Sequence, residues 1–409
     1  MSLPEVSLPR RFGDVLQPLD STNAATADAV SGRAGRGSMF RLPDKLYAWR
    51  NALLANPRFH SWAASFPLTR PIARSRARDV FTITTGFVYS QVLLACVQLG
   101  LFEKLRAGPR SIDQLAVDLD LPRKGAERLL KAADSVGLLE LRGPETYGLG
   151  RHGAALLGNP GIGKMVAHHA IFYADLMDPV AMLRAQGSRE TNLSRYWAYA
   201  LSEKPGGLAP EATGDYTALM SASQTLVAEE ILDAYSLKPH RCLMDVGGGN
   251  GTFLIEAAKR APDLQIKLFD LPSVAERAKA NFAQHGLSAR ATAYGGSFST
   301  ESLPRGADII SLVRIVHDHD DDAVKNLLAA ARAALPPGGT LLIAEPLAGT
   351  PGAEPMGEAY FGFYLMAMGS GRPRTRDELE TMLLQAGFAR VRHVATRMPL
   401  QTSLIAATV

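Results

Sequence analysis

The stretch CLMDVGGGNG, residues 242–251, decides the fold of this chain. Its apolar first half predicts a short strand that ends at Asp245, and the residues after the turn predict an amphipathic helix over 252–260. Four glycines shape the turn: Gly247, Gly248, Gly249 and Gly251. Because glycine tolerates positive φ and carries no Cβ, a flat polar cofactor can lie on this backbone at the carboxyl end of the strand. The sequence therefore predicts a cofactor crevice.

A second strand, residues 266–269, ends in Asp270, whose carboxylate is placed to bind a ribose diol. The spacing D-x-G-G-G-x-G departs from the G-x-G-x-x-G of dinucleotide folds, and the missing third glycine argues against close packing around a pyrophosphate. A glycine-rich turn and a strand-terminal acid nevertheless occur both in NAD enzymes and in methyltransferases that use S-adenosyl-L-methionine (SAM). These two features alone leave both classes open.

Four ordered motifs at the tips of successive predicted strands decide between the two classes. They are DVGGGNG, FDLPSV (269–274), LVRIVHDHDDD (312–322) and IAEPL (343–347). From about Ser90 to the C-terminus the chain resembles the SAM-dependent small-molecule O-methyltransferases, the family of plant phenylpropanoid, acetylserotonin and bacterial polyketide enzymes. The resemblance implies an α/β fold, a Rossmann-like class I methyltransferase domain with an α-helical N-terminal dimerisation domain that contains a winged helix. It also implies SAM as cofactor, a homodimer and a small apolar hydroxylated substrate.

Length and composition agree with a two-domain enzyme. The chain has 409 residues, with 21% charged and 46% hydrophobic residues, and no uninterrupted apolar run long enough to span a bilayer. The N-terminus lacks the apolar core of a secretory signal, and Cys96 and Cys242 lie in apolar contexts, which predicts reduced thiols in a cytoplasmic protein. We expect a disordered tail over 1–38, a helical domain with a basic extension over 39–214 and a SAM-binding domain over 215–409.

The net charge of +4 is concentrated near the N-terminus. Between Arg33 and Arg78 there are ten Lys or Arg residues against one acid, Asp44, and aromatic residues such as Trp49 and Trp62 are interleaved with them. This mixture suits anionic lipid headgroups, which predicts peripheral contact with the inner membrane. A basic helical extension packed on the partner subunit or on the body of the protein explains it equally well.

Residues 111–150 predict a winged helix. Ser111 caps one helix, Leu121-Pro122 separates it from the next, and Gly137 ends the second helix before the strand LLELR. A winged helix in a basic protein suggests DNA binding. The second helix, however, has acids close to its basic residues, and in the resembling family this module is a dimerisation element that closes the partner's pocket. We therefore expect no nucleic-acid partner, and keep a SAM-binding DNA-binding regulator as the alternative of another class.

The predicted chemistry centres on His317, at the carboxyl end of the apolar strand 308–316, where ligands bind in open α/β sheets. Methyl transfer from a sulfonium requires that the acceptor oxygen lose its proton as it attacks, and an imidazole can accept that proton. The resemblance assigns His317 as the general base, Glu345 as the carboxylate that orients its ring, and Asp318 as the adjacent acid of the motif. The family's second orienting glutamate is replaced here by Pro373, which predicts one partner only for the histidine.

The same resemblance implies the cofactor-binding residues, which are Asp245, Gly247, Gly248, Gly249, Asp270, Leu271, Ser297, Phe298, Arg314, Met220 and Ser223. Three of these positions or their neighbours depart from the family pattern. His319 stands where the family usually has tryptophan, Ser297 stands where many members have aspartate, and Arg314 replaces a lysine. Ser297 can hydrogen-bond the cofactor but brings no charge.

The acidic run 317–322, HDHDDD, could hold a divalent metal. The alternative is that Asp320, Asp321 and Asp322 cap the next helix and complement its dipole, so we predict no metal site. His168 and His169 suggest either acceptor-pocket residues or structural ones. Two stretches rich in methionine and aromatic residues, 170–182 and 360–368, are typical of a core but also of pockets for apolar ligands. From them we predict the substrate-pocket residues Phe172, Tyr173, Met177, Tyr364 and Met368.

Residues 40–81 resemble the N-terminal region of the carotenoid hydroxyl O-methyltransferases of purple photosynthetic bacteria, the hydroxyneurosporene or demethylspheroidene type. This implies the tertiary hydroxyl of an acyclic hydroxycarotenoid as acceptor, in spheroidene- or spirilloxanthin-type carotenoid biosynthesis. A phenol or polyketide O-methyltransferase is the alternative within enzymes. The two acceptors differ chemically, because a phenol has a pKa of about 10 and an imidazole about 6.5, whereas a tertiary alcohol should resemble water at about 15.7. For the alcohol we expect proton transfer concerted with methyl transfer, or a rate carried by desolvation and orientation.

Overall fold

The computed structural model describes residues 44–196 and 224–409. The predicted tail, the predicted domain boundary near residue 215, and Met220 and Ser223 therefore lie outside the described residues, and the domain division stays a prediction. By contacts the chain divides into two units, residues 1–59 and 60–409. The described part of the first unit is helical, with α1 over Asp44–Leu54 and the first residues of α2, Pro57–Ser65.

The second unit opens with helices and a small antiparallel sheet. Its elements are the rest of α2, then α3 (Arg70–Gln98), α4 (Leu101–Lys104), β1 (Arg110–Ser111), α5 (Ile112–Asp118), α6 (Arg123–Ser135), β2 (Leu139–Gly143), β3 (Thr146–Leu149), α7 (Arg151–Leu157), α8 (Pro160–Asp175), α9 (Pro179–Ala185), α10 (Asn192–Tyr196) and α11 (residues 224–234). Ser111 caps α5 in a reciprocal capping box with Gln114. The strands pair in the order β1-β3-β2, so the predicted winged helix is confirmed.

Helix α3 contradicts the prediction that no segment of the chain is long and apolar enough to span a membrane. An 18-residue window of α3 has a mean hydropathy of 1.7, and by length and composition alone it is long and apolar enough to cross a bilayer. Threonines at 82, 84 and 85 interrupt the apolar run, which is why a search for an uninterrupted run misses it. Only 11% of the window is buried. Several large apolar side chains of the helix are therefore exposed, among them Phe81, Ile83 and Phe87.

A seven-stranded sheet forms the C-terminal part. Its strands are β4 (Cys242–Val246), β5 (Gln265–Asp270), β6 (Ala291–Gly295), β7 (Ile309–Val313), β8 (Thr340–Glu345), β9 (Arg390–Val394) and β10 (Ser403–Thr408). They are ordered β6-β5-β4-β7-β8-β10-β9, and only β10 runs antiparallel to its neighbours. Strands β9 and β10 form an antiparallel hairpin at the C-terminus. Since β4, β5, β7 and β8 are parallel, their carboxyl ends meet along one edge of the sheet.

Helices connect the strands and cover both faces of the sheet. They are α12 (Thr252–Arg260), α13 (Pro272–Gln284), α14 (Asp321–Ala334), a π-helix over Met356–Phe361 that continues into α15 (Gly362–Met368), and α16 (Arg376–Gln385). Strands β4, β7 and β8 are buried at every position, so both of their faces are apolar. One core lies beneath α12 and α13, and the other beneath α14 and α16. This Rossmann-like arrangement confirms the predicted fold class.

Candidate active site

The glycine-rich turn after β4 has the backbone geometry that the sequence predicts. Gly247, Gly249 and Gly251 have φ values of 70°, 58° and 76°, in the left-handed region that favours glycine. A Cβ at Gly248 would lie 2.6 Å from Oδ2 of Asp245. The turn thus brings bare backbone against the strand end, and a side chain at Gly248 would fill the space beside the carboxylate.

Two buried carboxylates flank this turn. Asp270 accepts hydrogen bonds from the backbone N–H groups of Gly249, at 2.8 Å, and Leu271, at 2.7 Å. Oδ1 of Asp245 accepts a 2.6 Å bond from the hydroxyl of Ser311, its register partner on β7. Burial raises the pKa of Asp245 to about 7 and that of Asp270 to about 6, although these hydrogen bonds act in the opposite direction.

The residues around the turn fit SAM. Oδ2 of Asp245 is buried and has no hydrogen-bond partner within the described residues, so it is an acceptor without a donor. Asp270 stands at the tip of the second strand, where a ribose diol would supply two hydroxyl donors. A cofactor that combines a ribose with cationic groups would satisfy the unpaired oxygen and offset the repulsion between the two acids. We expect Asp245, Asp270 and the glycine turn to hold SAM.

The predicted base, His317, lies on a 3₁₀ turn over Val316–Asp318 at the carboxyl end of β7. Its Nδ1 is hydrogen-bonded to Oε2 of Glu345, the last residue of β8. The other oxygen of Glu345 accepts the backbone N–H groups of Ile315, at 2.8 Å, and Val316, at 2.7 Å. One carboxylate therefore orients the imidazole and also holds the turn that carries it.

A second carboxylate contacts the opposite nitrogen of the ring. Nε2 of His317 lies 3.1 Å from Oδ1 of Asp318, and both side chains are buried. The sequence predicts a single partner for His317, and the structure gives it two, because the adjacent acid folds back onto the ring. Burial by itself would lower the pKa of His317, but the charges of Glu345 and Asp318 outweigh it and hold that pKa well above its ordinary value of 6.5. The two carboxylates therefore favour the protonated, imidazolium form of the ring.

The acidic residues after His317 stand at the start of α14 as predicted, with Asp321 and Asp322 in its first turn, but the predicted side-chain cap does not form. The side chain of Asp320 makes no capping hydrogen bond and instead accepts the backbone N–H of Gly371 at 2.9 Å. Asp321 pairs with Arg372 and Arg374, which lowers its pKa to about 2. Since residues 370–374 pass over the start of α14, their donors take these carboxylates. Within 44–196 and 224–409 no group of three or more His, Cys, Asp or Glu side chains is arranged for a metal ion.

The remaining predicted cofactor residues lie on the loops after β6 and β7. The backbone N–H of Ser297 donates to Glu301 at 3.1 Å. The ring of Phe298 packs edge-on against His319, with centroids 5.1 Å apart. Arg314 has a φ of 58°, which is rare for a side-chain-bearing residue and is often found at functional sites. These residues surround the same strand tips as His317.

Most of the predicted pocket residues share one apolar cluster. Phe172, Tyr364 and Met368 are buried in it, and Tyr173 packs edge-on against His169. Met177 is 84% exposed, so the structure does not bring it to the others. Phe361, at the end of the π-helix, joins the cluster to the base, since its ring lies 5.5 Å from that of His317. Aromatic residues therefore continue from the base into the cluster.

The adjacent histidines on α8 are both paired with tyrosines. Nε2 of His168 lies 2.9 Å from the hydroxyl of Tyr364, and Nε2 of His169 lies 2.8 Å from that of Tyr360. Burial lowers the pKa of His168 to about 4 and also lowers that of His169, so both rings are neutral at pH 7. The two pairs tie α8 to the π-helix and α15 through neutral polar contacts.

Fold and site together define a class I methyltransferase: a seven-stranded Rossmann-like sheet, a glycine turn flanked by two acids, and a histidine at the neighbouring strand tip. The model of the O-methyltransferase domain family matches residues 173–389, and that of the O-methyltransferase dimerisation domain matches residues 81–159. The chain belongs to the O-methyltransferase family. The match to the dimerisation domain supports a homodimer. The match to the O-methyltransferase domain supports a small-molecule substrate.

Individual proteins show the same relationship. The chain is 40% identical to a demethylspheroidene O-methyltransferase of Cereibacter sphaeroides, over 87% of this chain and 93% of that one. It is 37% identical to a protein of the same description from Rhodobacter capsulatus, over 95% and 99% of the two chains. The fold is similar to that of human N-acetylserotonin methyltransferase, solved in complex with SAM, with a TM-score of 0.67. That structure is 23% identical and covers 81% of this chain and 97% of its own.

Proposed function

We propose that this protein is a SAM-dependent O-methyltransferase that methylates the tertiary hydroxyl of an acyclic hydroxycarotenoid. The observation that carries the proposal is the position of His317, buried between Glu345 and Asp318 at the tip of β7. In the sheet, β7 is the direct neighbour of β4, which leads into the glycine turn. The two relatives described as demethylspheroidene O-methyltransferases support the class of acceptor.

The chain's own residues prepare the acceptor for attack. When bound, SAM supplies a methyl group on a sulfonium, whose sulfur leaves with the electron pair of the broken C–S bond. The acceptor oxygen forms the new C–O bond, and its proton passes to Nε2 of His317. Glu345 stabilises the imidazolium that results, because it accepts the hydrogen bond from Nδ1. Phe361 and the aromatic cluster beside it exclude water from the acceptor side.

Nε2 of His317 must be released before it can act as a base. In the structure this nitrogen faces Asp318, and the two carboxylates favour the protonated form of the ring. The acceptor hydroxyl therefore has to displace Asp318, and the ring has to lose its proton to solvent first. Glu345, which stays hydrogen-bonded to Nδ1, also makes the ring a stronger base once Nε2 is free. A stronger base suits an aliphatic alcohol, whose proton is far less acidic than that of a phenol.

Methyl-labelled SAM with two acceptors tests this proposal. The purified protein is incubated with a hydroxylated acyclic carotenoid in detergent and, separately, with a panel of phenols. We expect label in the carotenoid alone. Label only in the phenols would leave the fold and the role of His317 in place and make the carotenoid proposal wrong.

A variant tests the base. We expect His317→Ala to lower the rate at saturating SAM by about 10²- to 10⁴-fold, the usual contribution of a general base. His285→Ala is a suitable control, because His285 is exposed at the end of α13 and its described hydrogen bond is to the backbone of Asn281. If His317→Ala keeps most of the activity while SAM is saturating, the base role is wrong.

Of the four basic residues on α6, two are paired with acids of the same module, whereas Lys124 and Arg128 are exposed. On α6, Arg123 pairs with Asp113 and Glu145, and Lys131 pairs with Glu127. These basic groups are partly neutralised by acids of the same module, whereas a DNA-binding helix presents its cations to phosphates. We therefore propose no nucleic-acid partner. Retention of the protein on duplex DNA with a steep salt dependence would favour the regulator instead.

We propose that residues 62–80 touch an anionic lipid surface, since the acceptor is an apolar polyene. Trp62 and Phe66 are exposed and stack with centroids 5.4 Å apart, and Arg74, Arg76 and Arg78 on α3 are exposed as well. Aromatic anchors beside cations are typical of helices that lie in the interface of anionic membranes. These residues precede the match to the dimerisation domain, which begins at residue 81.

Vesicle sedimentation tests this contact. We expect the protein to sediment with vesicles of phosphatidylcholine and phosphatidylglycerol but not with phosphatidylcholine alone. We also expect a variant with Arg74, Arg76 and Arg78 changed to glutamine to lose this binding while it keeps the dimer. If instead the variant becomes monomeric, these residues belong to the interface between subunits.

A further inference from the structure

Residues 370–374, which we name the strap, donate hydrogen bonds to backbone carbonyl groups of the turn that carries His317. The hydroxyl of Ser370 donates to the carbonyl oxygen of Asp318 at 2.9 Å. Arg374 donates from Nη1 to the carbonyl of Val316 at 2.7 Å and from Nη2 to that of His319 at 2.8 Å. The peptide groups on both sides of the base are therefore fixed by one short segment.

Arg374 is the centre of the strap. It is 2% exposed, and it heads the large side chains that the structure buries almost completely. Asp321 compensates its charge, with one carboxylate oxygen 2.7 Å from Nη2 and 3.1 Å from Nε. A buried cation needs such pairing, and the planar guanidinium can bond two carbonyls and a carboxylate at once, which an ammonium cannot do with the same geometry. This position therefore needs arginine and not merely a positive charge.

Gly371 brings the strap against the backbone of the turn. Its φ is +84°, and a Cβ on it would lie 2.6 Å from the carbonyl carbon of Asp318 and 2.8 Å from its oxygen. Because the neighbouring atoms are backbone, they cannot move aside as a flexible side chain would. Any residue other than glycine at this position would push the turn, and His317 with it, away from the strap.

The turn is thus held from two opposite sides. Glu345 accepts the amide N–H groups of Ile315 and Val316, and the strap donates to the carbonyls that follow. We propose that three residues of the strap, Arg374, Gly371 and Ser370, are positioning residues for the methyl-transfer reaction, because they fix the orientation in which Nε2 of His317 meets the acceptor hydroxyl. This proposal rests on the proposed function, because it assigns a role to the geometry around the same base.

Positioning predicts a loss in turnover without a loss in cofactor binding. A displacement of a reacting group by about 1 Å can cost about 100-fold in rate. Arg374→Lys keeps the positive charge but loses the planar guanidinium that bonds both carbonyls and Asp321 at once. We expect it to lower kcat by about tenfold or more. Gly371→Ala should lower kcat by a similar factor, and Ser370→Ala by about threefold, since it removes one neutral hydrogen bond. The Kd for SAM should stay within about twofold, because the glycine turn after β4 is not touched.

Arg372→Lys is the matched control. Arg372 belongs to the same strap and pairs with the same Asp321, but its described side-chain bonds go to Asp321, Glu378 and the carbonyl of Pro373 and none goes to the turn. We expect this variant to keep kcat within about twofold, since lysine keeps the positive charge beside Asp321 and Glu378 and none of the lost bonds reaches the turn. Turnover is expressed per SAM-binding site, which removes any effect of unfolded protein.

The pH profile separates positioning from charge. Arg374→Lys leaves the charges around His317 unchanged, so kcat should fall at every pH while the inflection of the profile stays in place. A kcat per SAM-binding site within twofold of wild type in Ser370→Ala and Gly371→Ala, or an equal loss in Arg372→Lys, would overturn the proposal. If the wild-type protein transfers no methyl group to either acceptor, the proposed function fails, and that result is distinct from active enzyme with insensitive variants.

Discussion

The contact between His317 and Asp318 makes a prediction about the pH dependence of the enzyme. Asp318→Asn removes one of the two negative charges beside the imidazole and keeps a side chain of the same shape. The neutral amide no longer favours the imidazolium, so the pKa of His317 should fall. The free base then forms at lower pH, and the acidic limb of kcat/KM, which reports groups of the free enzyme, should move to lower pH.

The size of this effect follows from the 3.1 Å between Nε2 and Oδ1 of Asp318. Even with the full screening of bulk water, two unit charges at that distance interact by about 1.3 kcal/mol. One pH unit corresponds to about 1.4 kcal/mol, so the limb should move down by about one unit. Both side chains are buried, where screening is weaker, and a larger movement is expected.

The assay is the initial rate of methyl transfer from labelled SAM to the carotenoid alcohol, measured across the pH range in which the protein stays folded. A tertiary alcohol is the right acceptor because it does not ionise in this range, whereas a phenol would add an inflection of its own. Asp322→Asn is the control, since Asp322 is exposed and its described partner is Lys325. An acidic limb that does not move in Asp318→Asn, or that moves to higher pH, would refute the reasoning.

Three further results are expected. Gly248→Ala should abolish SAM binding in calorimetry, because its Cβ would lie 2.6 Å from Oδ2 of Asp245; an unchanged Kd would exclude this turn as the cofactor site. The affinity for SAM should weaken as the pH falls through about 6, where Asp270 gains a proton and no longer accepts from both hydroxyls of a ribose; a Kd that is constant from neutral pH down to pH 5 would contradict this. Tyr364→Phe should lower the free energy of unfolding by about 1–3 kcal/mol, because it leaves the buried Nε2 of His168 without its partner. An unchanged free energy of unfolding in chemical denaturation would contradict this.

The sheet could be predicted from the sequence because strand ends and functional motifs coincide. Asp245, Asp270, His317 and Glu345 each follow or end an apolar run, and parallel strands bring such positions to one edge. The winged helix was also predictable, because Ser111 and Gly137 mark element ends locally. Local signals of this kind depend on a few neighbouring residues, which is why they can be found in one sequence.

Contacts between distant segments could not be predicted in the same way. The acids at 320 and 321 stand where caps are expected, and only the fold shows that residues 370–374 supply their donors. Likewise, the exposure of Met177 depends on how α8 ends, since its helical spacing alone is compatible with a core position. The pairing of Nε2 with Asp318 depends on a 3₁₀ turn, because in an extended strand adjacent side chains point to opposite faces.

The carboxylates around His317 bear on the choice of acceptor. Efficient proton transfer requires that the base and the group it deprotonates be matched, and an imidazole of ordinary pKa, about 6.5, is far weaker than an alkoxide whose conjugate acid is near 15.7. Glu345 and Asp318 narrow this difference, because each stabilises the protonated ring. They also favour the protonated ring at rest, which lowers the fraction of molecules in which the strengthened base is free. A phenol does not need a base of raised pKa, since the pKa of a phenol is closer to that of an ordinary imidazole. Glu345 keeps its contact with Nδ1 when the acceptor displaces Asp318 from Nε2, so it is the carboxylate that strengthens the base toward a weakly acidic alcohol.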